Sequence, residues 1–120
     1  MICMNTFFHV GDNSGAKIVR LIRIPGQASF RARPGTIVRV SVISADPKSS
    51  LKPGTKHLAV VSGLKSHHIR SNGASIKFDK NTVLMLTNDK KGVGTRVLSP
   101  ISNEIRLAFP DIASKAKEVY

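Results

Sequence analysis

Residues 36–45, TIVRVSVISA, alternate with few interruptions. Val38, Val40 and Val42 share one face of an extended chain, while Arg39 and Ser41 fall on the other. That period of two marks a strand with one dry side and one wet side. Upstream, AKIVRLIRI (16–24) alternates in part, with Val19, Leu21 and Ile24 competing with Ile18 and Ile22 for the inner face. TFFHV (6–10) precedes it, and because Phe7 and Phe8 are adjacent, one of them points inward. Downstream, KHLAVVSGL (56–64) and TVLMLT (82–87) are dense in apolar residues, and the short SIKF (75–78) follows SNG, a hairpin signal.

Turns separate these segments. GDNSGAK (11–17) holds Asp12, Asn13, Ser14 and Gly15, residues that make Asx turns and accept positive φ. IPGQASFRARPG, DPKSSLKPG and NDKKGVG punctuate the rest. Strands spaced this evenly, with no helical period through residue 99, predict a small barrel or sandwich. The tail differs: Ile105, Phe109, Ile112 and Ala116 recur at helical intervals, Ser102 or Asn103 can cap, and Pro110 suits a first turn. The expected architecture is mostly β, with two short C-terminal helices packed on the barrel. We expect one domain over 1–120, with the barrel and hairpin in 1–99 and the helical tail in 100–120.

A chain of 120 residues buries about two thirds of its unfolded surface and needs no staple. The lone Cys3 offers no internal bridge, and no apolar run nears the roughly 20 residues of a membrane span. The start MICMNTFFHVGDN has neither the features of a secretory signal nor an Arg- and Ser-rich presequence character. The chain is expected to stay where it is made, or to be a mature form.

Charge is the dominant global signal: 19 Lys and Arg face 7 Asp and Glu, a net +12. Such an excess suits polyanions, because each cation set on a phosphate releases condensed counterions. Lys17, Arg20, Arg23, Arg31, Arg33 and Arg39 cluster early, and Lys48, Lys52, Lys65, His67, His68, Arg70 and Lys77 continue the set. We take these as nucleic-acid contacts, and Lys56 and Lys80 as solvated charges. Lys17, Arg20 and Arg23 are expected to point outward in period two.

Catalysis finds no candidate. Ser14 sits between glycines but lacks G-x-S-x-G spacing, and no C-x-x-C, H-x-x-x-H or Walker pattern occurs. No cofactor or metal is expected. Stacking platforms are scarce, with no Trp, Tyr120 alone and five Phe, so backbone and shape recognition of a folded RNA fits better than base reading. A free OB-like single-strand binder is the alternative.

DNSGAK, PGTIVRVSVISADP, LKPGTKHLAVV, NGASIKFDKN and GTRVLSPISNEIR occur in that order, and together they resemble the universal large-subunit ribosomal protein L-fourteen family from end to end. The resemblance implies a five-stranded β-barrel with a projecting hairpin and C-terminal helices. It implies a structural role on large-subunit rRNA at the face meeting the small subunit, with an intersubunit bridge to small-subunit rRNA and contacts to neighbouring ribosomal proteins. It further implies a ribosome-silencing factor as a partner of the C-terminal region. Carried over by position, Thr95 and Arg96 belong to that bridging and docking region, and Arg106 and Asp111 are grouped with them.

The chain departs from the family at GLKSHHIR, where a more basic hairpin is usual. It departs also at Asp111 and Asn103, which stand where Lys and Arg are common. Lys65 and Arg70 keep full charge there, and His67 and His68 can still donate hydrogen bonds. From this drift, and from a start that matches bacterial members, we expect a mitochondrial ribosome, with bacterial cytoplasm or plastid as alternatives.

Overall fold

The computed structural model describes residues 6–25, 33–65, 68–69, 73–78, 80–116 and 119. The strands are β1 (Phe7–Val10), β2 (Ala16–Arg23), β3 (Ile37–Ala45), β4 (Lys56–Gly63), β5 (His68–Ile69), β6 (Ser75–Ile76) and β7 (Thr82–Leu86). Helices α1 (Asn103–Ala108) and α2 (Pro110–Ala113) follow. β1, β2, β3, β4 and β7 form a closed barrel in that order. Neighbours pair antiparallel except at the closure, where β1 runs parallel to β7 through His9–Thr82 and Val10–Val83. Closure removes the free sheet edges that a small β protein otherwise has to protect.

The barrel interior is filled from the alternating strands. Val38, Val40 and Val42 of β3 are fully buried, against Val19 and Leu21 of β2 and Phe8 of β1. The two ambiguities in the sequence resolve on the same physical ground. Val19, Leu21 and Ile24 take the inside and Ile18 and Ile22 do not; Phe8 is inside and Phe7 outside.

Period two does not account for the cations of β2, and here the structure corrects the expectation. Lys17, Arg20 and Arg23 are three residues apart, so strict alternation would turn one of them inward. Register shifts between Ala16 and Ile18, between Ile18 and Val19, and between Leu21 and Arg23 absorb the mismatch. Lys17 and Ile22 are left without a residue directly opposite, as bulged positions are, and all three cations are exposed.

β4 and β7 are buried on both faces over most of their length, which is why they read as continuous apolar runs. Their inner residues Ala59, Val61, Val83 and Met85 join the barrel core. Their outer residues Val60, Leu84 and Leu86 form a second core with Val97, Ile101, Ile105, Ile112 and Ala113. The tail is therefore a lid on one side of the barrel, and Ile105, Phe109, Ile112 and Ala116 all pack into it. Pro110 opens α2. Ser102 occupies the cap position of α1, but its hydroxyl makes no capping bond and is buried without a partner. β5 and β6 form a separate two-stranded sheet, with Gly73 at φ +87° between them.

Candidate nucleic-acid interface

The corner at Asp12–Gly15 is an Asx turn, with the Ser14 N–H donating to Asp12 Oδ1 at 3.1 Å. Asp12 does more than turn the chain. Its second oxygen accepts the Met85 N–H at 3.0 Å, and its backbone bridges to Val97. Burial pushes the Asp12 carboxyl above its ordinary 3.8, against the lowering by the Ser14 and Met85 donors. Next to it, Asn13 clamps the following segment: its Oδ1 accepts the Arg96 N–H at 3.0 Å and its Nδ2 donates to Thr95 Oγ1 at 2.9 Å. Gly94 passes so close that a Cβ there would stand 2.9 Å from both Asn13 Oδ1 and Asp12 Cβ.

Gly15 has φ +101°, and a side chain there would overlap Ser49. Ser49 donates to the Ser14 carbonyl at 3.0 Å, and the Asp46 N–H donates to the Gly15 carbonyl at 2.8 Å. The corner thus ties β1 and β2 to the 46–55 loop and to the 94–98 segment, with Lys17 exposed at its end.

Outside the barrel, β1 and β2 present exposed Phe7, His9, Lys17, Arg20 and Arg23, and β3 presents half-buried Arg39 and Ser41 and exposed Ile43, while its Ile37 packs under the tail. Cross-strand register sets out their side chains in rows. Phe7 stands opposite Arg20, Arg20 opposite Ser41, and Ser41 opposite Lys56. In a second row Arg23 stands opposite Arg39, Arg39 opposite Leu58, and Leu58 opposite Leu86 beneath the tail. Directly opposed residues share a face with Cβ atoms about 4.5–5.5 Å apart. None of the seven Asp and Glu lies in β1, β2 or β3. An opposed arginine pair costs stability in isolation, since like charges across a strand pair repel.

The remaining expected residues divide. Arg33 is exposed in the loop entering β3, its N–H bonded to Thr36 Oγ1 at 3.2 Å. Lys48 and Lys52 are exposed on the loop that carries Ser49. Lys65 and Lys77 are exposed on either side of the small sheet. Arg31, His67 and Arg70 lie outside the described residues, and His68 enters only through its backbone pairing. Thr95 and Arg96 are exposed beside the corner, whereas Arg106 and Asp111 sit on α1 and α2. Asp111 lines a cleft of about 350 Å³ together with Lys90, Lys91 and Lys115.

Sequence reasoning missed two members of the open face. Lys56, expected to be a solvated charge, ends the Phe7–Arg20–Ser41 row, a place fixed by the pairing of β3 with β4. Pairing of β1 with β2 is what separates Phe7, opposite Arg20, from its neighbour Phe8, opposite Val19.

The structure is that of a small basic β-barrel protein, its core filled by side chains and its cations set out in register on the surface. The chain belongs to the ribosomal protein L14p/L23e family, which matches it over residues 1–120. It is 41% identical over 120 residues to the large ribosomal subunit protein uL14 of Hydrogenobaculum sp. (strain Y04AAS1), covering 99% of each chain. It is a ribosomal protein with a structural role, and not an enzyme.

Proposed function

We propose that this chain is a constituent of the large ribosomal subunit that binds large-subunit rRNA through the open face of β1, β2 and β3. The observation that carries the reading is the Arg23–Arg39 pair in register with the Arg20–Ser41–Lys56 row. Strands free of carboxylates leave that repulsion uncompensated within the face, and a phosphate set between the two guanidiniums relieves it. Lys17 at the start of β2 extends the contact, Arg33, Lys48, Lys52, Lys65 and Lys77 carry it along the connecting segments, and Arg31, His67, His68 and Arg70 complete it. The whole chain acts as one domain, the barrel and hairpin of 1–99 carrying the tail of 100–120.

Thr95 and Arg96, with Arg106 and Asp111, form the second surface, facing the small subunit and contributing a bridge to its rRNA. Its support is the Asn13 clamp, which presents Thr95 and Arg96 in fixed geometry on an exposed segment. Neighbouring ribosomal proteins and a ribosome-silencing factor are the protein partners, and the drift at Asn103 and Asp111 supports a mitochondrial ribosome.

Sedimentation of a lysate tests the central reading. The protein is expected to travel with large subunits in low salt, and an R20Q/R23Q/R39Q/K56Q variant to remain at the top of the gradient. A free pool of the native protein, separate from ribosomes, would overturn it.

A further inference from the structure

We propose that Phe7 is a stacking platform for one unpaired nucleobase of the bound RNA, with Arg20 beside it on the adjoining phosphate. This rests on the open face being the RNA surface. Phe8 is fully buried, and Phe78 and Phe109 are half-buried, but Phe7 is 59% exposed. It stands on the outer face directly opposite Arg20, and Arg20 stands opposite Ser41, so the ring lies at the end of a polar and cationic row. His9 lies two residues along on the same outer face, opposite Ile18.

Charge decides what covers the ring. A protein partner offering an apolar patch would have to desolvate Arg20 and leave it without a counter-charge, which is costly. A nucleotide brings an apolar π-face and a phosphate together, and so satisfies ring and guanidinium at once. Aromatic side chains stack bases of any sequence, whereas the cations around them track the backbone. Phe7 therefore adds base contact to a face otherwise suited to backbone recognition.

The test uses the full chain and its large-subunit rRNA transcribed in vitro. Affinity is read over a salt series, and nucleobase accessibility by dimethyl sulfate and carbodiimide probing. F7A and F7L are expected to weaken binding by at least about fivefold with an unchanged salt slope, and F7W to restore it. One unpaired base is expected to gain reactivity in both weakened complexes. R20Q is expected instead to lower the salt slope by about one. If F7L binds like the native chain and no base changes reactivity, the platform is wrong while the RNA surface stands. If the native chain shows no salt-dependent rRNA binding, the RNA surface itself falls, and the platform with it.

Discussion

The Asp12 carboxylate accepts a hydrogen bond from the backbone N–H of Met85, 73 residues further along the chain. The same side chain closes its own turn onto Ser14. One buried acid thus joins the β1–β2 corner to β7, the strand that closes the barrel. The turn motif and the apolar strand are far apart in sequence but form a single structural unit.

Replacing Asp12 by Asn leaves one acceptor oxygen for two backbone donors, and should cost about 1–3 kcal/mol. Its pH dependence has a definite sign. Burial raises the folded carboxyl above 3.8, so the folded state holds the proton more tightly than the unfolded one. Native stability from this group is then greatest below 3.8 and falls as pH rises through the raised folded value. Asn does not titrate, so urea denaturation should show a larger native-minus-D12N difference on the acid side of that window than at pH 7.

Gly15 and Gly54 separate two causes of strain. Both have positive φ, but a Cβ at Gly15 overlaps Ser49 while one at Gly54 meets nothing within 4 Å. G54A should cost only the conformational penalty, about 1 kcal/mol. G15V should cost clearly more, and thermal melting of the two variants checks the order.

Asn13→Ala removes both side-chain bonds that hold Thr95 and Arg96. The fold should lose about 1 kcal/mol for these exposed bonds, while amide exchange at Arg96 speeds selectively. G94A should reach the same segment from the other side, since its Cβ meets Asn13 and Asp12 at 2.9 Å.

Arg39→Gln relieves the opposition to Arg23. The free protein should be unchanged or slightly more stable, yet should bind rRNA less tightly with a salt slope shallower by about one. A denaturation curve alongside a salt-series binding isotherm measures both signs in one variant.

Much of this was legible because burial writes a period into strands with one wet face. Val38, Val40 and Val42 announced both β3 and its inner side, and Ile105 and Ile112 announced a helical tail on the barrel. Where the tail docks was also written, in the unbroken apolar runs of β4 and β7. Other features depend on pairing, which local sequence does not carry. β1 is four residues long, too short for its own alternation to rank Phe7 against Phe8. The outward set of Lys17, Arg20 and Arg23 requires register shifts, and these are fixed between strands. Asp12 read as a turn former because its other partner, Met85, is remote. Ser102 read as a cap because residue type predicts position better than hydroxyl geometry.

Amine footprinting of intact large subunits measures the RNA face most directly. Lys56 ends the Phe7–Arg20–Ser41 row and Lys17 lies three residues before Arg20 on β2, both exposed in the free chain. In the assembled subunit both are predicted to resist acetylation and to regain reactivity when the rRNA is digested. Labelling of both at the free-chain rate within intact subunits would contradict the assignment of this face to RNA.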